Sequence, residues 1–145
     1  MKYSRFHVAN ESYGLLFWQV STLWQRKIKE SLRPYDLTHT QYVILAVTQE
    51  LNDRNAEVTQ KEISDFSMID VMTVSKTLRL LENKNLIIRE NHSSDTRAKR
   101  IKNTVAGEEM LQTVSPIIEM VDKDFFFENK EDLDAFIRLL VKLRD

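Results

Sequence analysis

Apolar residues recur at intervals of three and four over most of this chain, the spacing of helices with one buried face. Leu15, Leu16, Val20, Leu23, Trp24 and Ile28 predict a first long helix over about 12–32, closed by Pro34. Phe17 and Trp18 widen its stripe beyond what one core face needs. Thr38-His39-Thr40-Gln41 reads as a capping box opening a second helix to about Leu51, with Tyr42, Ile44, Leu45 and Val47 apolar and Asn52-Asp53-Arg54-Asn55 as a polar turn. A further capping box, Thr59 to Glu62, opens a short helix that keeps Ile63 and Phe66 inside. Ser67 to Asp70 makes a tight connection, Asp70 capping a helix whose Val71, Val74, Leu78 and Leu81 face a core. Beyond the middle of the chain, Thr104 caps a long helix to about Phe127, striped by Met110, Leu111, Val114, Ile117, Ile118, Val121 and Phe125. Pro116 inside it predicts a kink or break near Gln112–Thr113. A last helix over 131–143 carries Leu133, Phe136, Ile137, Leu140 and Leu143.

The helix after Asp70 has a second face, Met72, Thr73, Lys76, Arg79 and Asn83, which core packing does not explain. Two short helices joined by a tight turn, the second with a polar outer face, read as a helix-turn-helix. Leu86-Ile87-Ile88-Arg89 is a β-branched run, 92–97 a polar turn, and Lys99-Arg100-Ile101-Lys102 a returning strand. Glu57-Val58 adds a third short strand in this reading. The whole makes a winged helix with a basic tip.

Three pieces carry a family resemblance: Leu81-Glu82-Asn83-Lys84-Asn85-Leu86-Ile87-Ile88-Arg89, Asp95-Thr96-Arg97 and Asn103-Thr104-Val105-Ala106-Gly107. In order and spacing they resemble the MarR-type transcriptional regulators, whose usual pattern is a Leu-Glu-x-Lys-Gly-Leu-x-x-Arg run, an Asp-x-Arg wing and a Leu-Thr-x-x-Gly helix start. The likeness extends to the flanking helices and so covers nearly the whole chain. Asn85 stands where the family usually has Gly, at a helix end expected to take positive φ, which Asn tolerates better than other non-glycine residues. Asn103 stands where Leu is common, so looser packing is expected under the wing.

Composition and charge sharpen this picture. The chain has 145 residues, one domain's worth, with only 2 Gly and 2 Pro, which suits long helices. It has no Cys, so disulfides, thiolate metal sites and cysteine-based sensing are excluded. The first residues lack an apolar leader and no run approaches membrane-spanning length, so a cytoplasmic protein with no membrane partner is expected. The net charge of −1 hides a division: 71–102 holds eight Lys or Arg against three acids, and 104–145 holds five against ten. One part suits phosphate and the other does not.

Catalysis finds little footing. His7, His39 and His92 lie apart, in the arm, a capping box and the wing turn, without metal-ligand spacing, and there is no Gly-rich phosphate loop. Paired acids such as Glu108-Glu109 suit helix N-termini. No enzyme, metal or cofactor is expected. DNA contact is better supported: Lys76 and Arg79 suit guanine O6 or N7, Thr73 or Ser75 a base or phosphate, and Met72 a thymine methyl. In the wing, Arg97 suits minor-groove insertion with Asp95 bracing it, roles the resemblance also implies, and Lys99, Arg100 and Lys102 suit phosphates. The family commonly binds small aromatic or anionic effectors, and Tyr13, Phe17, Trp24, His39 and Tyr42 are candidates for such a pocket or simply for core.

The fold expected is mainly α with a small β wing: a winged helix-turn-helix over 36–103, flanked by dimerisation helices over 1–35 and 104–145. The terminal helices are too apolar for one small subunit to cover, so a two-fold homodimer follows, as the resemblance also implies. The expected function is sequence-specific binding of double-stranded DNA at an inverted repeat, by a ligand-responsive repressor. The competing reading is a winged helix that binds protein and not DNA, which requires an apolar or acidic outer face on the helix after Asp70.

Overall fold

The computed structural model describes residues 9–55, 57–94 and 97–145. Six α-helices and one hairpin follow in order: α1 (Tyr13–Leu32), α2 (His39–Arg54), α3 (Gln60–Ser67), α4 (Val71–Asn83), β1 (Ile87–Asn91), β2 (Lys99–Asn103), α5 (Val105–Phe125) and α6 (Lys130–Arg144). Two compact units result, one built from Leu32–Pro116 and the other from the described residues up to Ser31 with Ile117–Asp145.

The unit Leu32–Pro116 is held by a continuous apolar core. Ile44 and Leu45 of α2, Ile63 of α3, Val74, Leu78 and Leu81 of α4, Ile87 and Ile101 of the hairpin and Val114 of α5 are all essentially without exposure. The helix starts form as the side-chain chemistry dictates. The Thr38 and Thr59 hydroxyls accept from the N–H groups of Gln41 and Glu62, whose side chains reach back, so both capping boxes are complete. Asp70 caps α4 through Thr73 N–H. Helix α4 ends with Asn85 at φ 60, its N–H bonded to Glu82 O and that of Leu86 to Leu81 O, a left-handed cap that asparagine enters without glycine.

Strands β1 and β2 pair antiparallel, Ile88 opposite Lys102 and Glu90 opposite Arg100. The expected third strand shrinks to one bridge, Thr59 to Arg100, with Ile101 N–H bonded to Val58 O at 2.7 Å. Gly107, in the first turn of α5, sits where a Cβ would lie 2.1 Å from Leu86 O. Thr104 fixes that approach: its N–H bonds Leu86 O, its hydroxyl donates to Asn85 O at 2.7 Å and accepts from Gly107 N–H at 3.0 Å.

Several expectations give way here. Asn52–Arg54 is not a turn but the last helical turn of α2, and Asn52 works across the unit, donating to Ile101 O and accepting from Asn103 N–H. Asn103 does not loosen the packing: it is 3% exposed, and its amide donates to Leu45 O at 3.0 Å and Gln49 Oε1 at 3.2 Å. Phe66 is not inside but 49% exposed, with the Arg54 guanidinium 5.7 Å from its ring. Val71, assigned to the core face, is 50% exposed because it opens α4 before the helix has turned inward. Helix α5 is continuous through Pro116, so of the expected kink or break the break is absent. Proline forfeits one hydrogen bond there, and Val114 and Ile118 on either side of it are buried.

In the other unit, α1 and α6 pack with the later part of α5 around aromatic rings. The Trp24 indole N–H donates to Asp122 Oδ1 at 2.8 Å, and the Phe126 ring lies 6.1 Å from Trp24 and 5.4 Å from Phe136. Asn129 caps α6 through Glu131 and Asp132 N–H. Helix α6 has no buried residue, and Ile137, Leu139 and Leu143 are 49%, 57% and 82% exposed.

Candidate nucleic-acid interface

Helix α4 divides as its sequence demands. Val74, Thr77, Leu78 and Leu81 are buried, while Met72, Lys76, Arg79 and Asn83 face outward, Met72 82% exposed. Spacings of four, three and four align these outer residues along one side of the helix. Among the described residues, Lys76 and Arg79 make no hydrogen bond or ion pair, so their donors are available to an outside partner. Thr73 is placed differently. Its hydroxyl donates to Asp70 Oδ1 at 2.7 Å, leaving it only acceptor capacity toward a base, and this bonding holds the Asp70 carboxyl below its ordinary range. Ser75 is half-buried on the same helix.

Several cations of the basic stretch are engaged within the chain. Arg89 spans from β1 to Glu82 of α4, Nη2 to Oε1 at 2.9 Å, and its hydrogen bonds hold the Glu82 carboxyl low. Lys84 reaches Asp36 O and, at 3.0 Å, Gln41 Oε1. Arg100 pairs across the hairpin with Glu90, Nε to Oε2 at 2.7 Å, and Lys99 donates to Asn91 Oδ1 at 2.7 Å. Lys102 has no such partner among the described residues and is exposed. Arg97 is exposed near the hairpin turn, whereas Asp95, its expected brace, lies outside the described residues. The hairpin is fastened at its turn by Glu57, which accepts from Ser93 N–H at 3.2 Å and lies 3.3 Å from His92 Nε2. Sequence reading assigned His92 only to a turn, and the partner thirty-five positions earlier carried no local signal.

Of the effector candidates, Tyr13, Phe17 and Trp24 belong to one unit and His39 and Tyr42 to the other. Tyr13 and Phe17 are 72% and 64% exposed on α1, and Trp24 is bonded to Asp122. His39 is half-buried at the first position of α2, and the Tyr42 hydroxyl donates to Ser115 Oγ at 3.3 Å. Among the described residues no group of three or more His, Cys, Asp and Glu gathers as for a metal ion, and no helix is long and apolar enough to cross a membrane.

A cored helix-turn-helix with a polar, cationic second helix and a hairpin docked behind it defines a winged-helix regulator. The model of the ArnR1-like winged-helix domain matches residues 33–121. An HTH-type transcriptional regulator of Bacillus subtilis, YdcH, is 37% identical over 124 residues, covering 86% of this chain and 84% of that one. Among solved structures, the S. aureus MepR–DNA complex is 26% identical with a TM-score of 0.83, over 91% of this chain and 96% of that one. BpsR of Bordetella bronchiseptica is 20% identical with a TM-score of 0.87, over 98% and 99% of the two chains. The chain belongs to the ArnR1-like winged-helix family and to the HTH-type transcriptional regulators, and it has the fold of MarR-family regulators such as AbsC of Streptomyces coelicolor, 24% identical with a TM-score of 0.84 over 97% of this chain and 96% of that one.

Proposed function

We propose that this regulator acts as a homodimeric, ligand-responsive repressor at an inverted-repeat operator, with α4 in the major groove and the hairpin at the flanking backbone. The observation that carries the reading is the outer face of α4, where Lys76 and Arg79 stand exposed without internal partners among the described residues, beside exposed Met72. Such a face offers donors to guanine and an apolar contact to thymine, and it does not suit an apolar or acidic protein-docking helix. Lys102 and Arg97 add cations at the wing for phosphate and minor groove. MepR, which shares 26% of its residues, was solved on DNA.

Dimerisation is supported by α6, which has no fully buried residue among those described and leaves Ile137, Leu139 and Leu143 exposed. Helices with this much exposed Ile and Leu seek a second copy, and two-fold pairing is the commonest way to close. Ligand response is supported by analogy of fold, since the DNA binding of BpsR is regulated by 6-hydroxynicotinic acid. Selection of bound sequences from random duplex DNA tests the proposal. It should return an inverted repeat with half-sites about 10 base pairs apart. A site without a dyad, or a chain that sediments as a monomer at micromolar concentration, refutes the dimeric reading.

A further inference from the structure

The turn before α4 and its first two positions carry three exposed apolar side chains. Met68 is 70% exposed, Val71 50% and Met72 82%, all within five positions of sequence. Solvation does not favour them there, and Lys76 and Arg79 continue the side of α4 that bears Met72 toward the helix C-terminus. The turn that presents Met68 is tightly held. Ser64 Oγ donates to Ile69 O at 2.6 Å, Ile69 N–H to Ser67 Oγ at 3.2 Å, and Met68 N–H to Ser64 O at 2.9 Å. Met68 itself sits at φ 62, the left-handed region that glycine enters freely and methionine enters at a cost. A glycine would make this helix cap more cheaply, so the thioether at that position calls for a reason beyond the turn.

We infer that Met68, Val71 and Met72 form an apolar reading head for thymine C5-methyl groups in the major groove, so that each half-site carries thymine where the start of α4 enters. The inference rests on the DNA-reading role proposed above for this helix, and its occupant is argued from continuity with that cationic face. In the major groove the thymine methyl is the apolar feature that distinguishes one natural base pair from the others. The cap carboxylate, Asp70, is engaged by Thr73 N–H and hydroxyl. Its negative charge makes the helix start a poor seat for phosphate, which directs this end of the helix to base edges. Lys76 and Arg79, about 6 Å and 10 Å further along the axis from Met72 at the helical rise, then meet guanine or backbone.

The test replaces each thymine of the selected operator in turn by deoxyuridine, which removes the methyl and keeps every hydrogen-bonding group. Binding of the full-length chain is measured by fluorescence anisotropy at one salt concentration. At least one thymine per half-site should weaken binding about fourfold on losing its methyl, and a symmetric pair about fifteenfold. Met72→Ala places the best helix former in α4, and Met68→Gly relieves the left-handed backbone, so neither endangers folding. At the position each side chain reads, the deoxyuridine penalty should vanish in the corresponding variant and persist in Lys76→Ala. An operator indifferent to every deoxyuridine exchange, or a penalty that survives in Met68→Gly, Val71→Ala and Met72→Ala alike, overturns the inference while leaving sequence-specific binding intact. Failure to select any preferred sequence overturns the DNA-reading role itself, and the inference with it.

Discussion

Gly107→Ala turns the close approach of α5 to the end of α4 into a measurable sign. At an unobstructed position in a helix, alanine for glycine stabilises by up to about 1 kcal/mol. Here the new Cβ meets Leu86 O at 2.1 Å, with Leu86 C at 3.2 Å and Asn103 Cβ at 3.5 Å. Restoring ordinary contact needs a shift of about 1 Å between backbone segments, which overpacking studies put at ~1–3 kcal/mol. The same shift stretches Thr104 N–H to Leu86 O, 3.1 Å, and Thr104 hydroxyl to Asn85 O, 2.7 Å, each worth about 1 kcal/mol. Against the propensity gain the net loss is roughly 2–4 kcal/mol, or about 4–15 °C in Tm for a chain of this size. Urea and thermal unfolding followed by far-ultraviolet circular dichroism, at matched protein concentration, measure it. The chain's other glycine is the internal control: a Cβ at Gly14 meets nothing within 4 Å, so Gly14→Ala should be neutral or mildly stabilising. A Gly107→Ala variant as stable as the parent, or a Gly14→Ala variant equally damaged, refutes the steric account.

Other outcomes follow from the same contacts. Lys76→Ala and Arg79→Ala should each cost ~1–3 kcal/mol of operator affinity and relax base preference at defined positions, read by repeated selection with each variant. Lys102→Ala should weaken all sequences alike and lower the slope of affinity against salt by about one, whereas Arg100→Ala should change that slope less because Glu90 already neutralises it; equal slopes would contradict the pairing. Asp70 has its folded carboxyl held below the ordinary 3.8 by Thr73, so its contribution is complete above that value and is lost as pH falls through the depressed folded value. Acid titration of stability should therefore be shallower below pH ~4 in Asp70→Ala than in the parent.

The helices were legible because their causes are local. Two capping boxes, an Asp cap and apolar spacing of three and four fix α2, α3 and α4 within neighbouring residues, and the structure keeps all three. The positive φ of Asn85 was readable for the same reason. What escaped depends on partners distant in sequence. Asn52 reads as a turn residue until Ile101 and Asn103, fifty positions on, supply its hydrogen bonds. Asn103 reads as a defect in an apolar site until Leu45 O and Gln49 turn it into a buried polar tie. Phe66 and Val71 fit a helical stripe, yet each sits at a helix end, where one residue of phase decides between core and solvent. Arg89 and Arg100 count as cations in any charge tally, and only the fold shows them facing Glu82 and Glu90.

This explains why the sequence identifies a family more readily than an operator. The run Leu81 to Arg89 that carries the resemblance is occupied inside the molecule. Leu81 and Leu86 are core, Glu82 and Arg89 bind each other, Lys84 holds Asp36 and Gln41, and Asn85 closes the helix. Gly107, in the third piece, is demanded by Leu86 O. Such residues answer to a backbone geometry, and any chain of this fold meets the same demand at the same place. Met72, Lys76 and Arg79 answer to no hydrogen bond or ion pair within the described structure; in the function proposed above, their partner is a base sequence outside it. A substitution in the first group should therefore register in unfolding and in affinity for every DNA sequence together, because the hairpin and α4 lose their common frame. One in the second group should leave unfolding unchanged and redistribute affinity among sequences. Glu82→Gln and Arg79→Ala are the sharpest pair for this contrast, being three residues apart on one helix. If Arg79→Ala lowers stability as much as Glu82→Gln does, the division of α4 into an internal tie and an external reader is wrong.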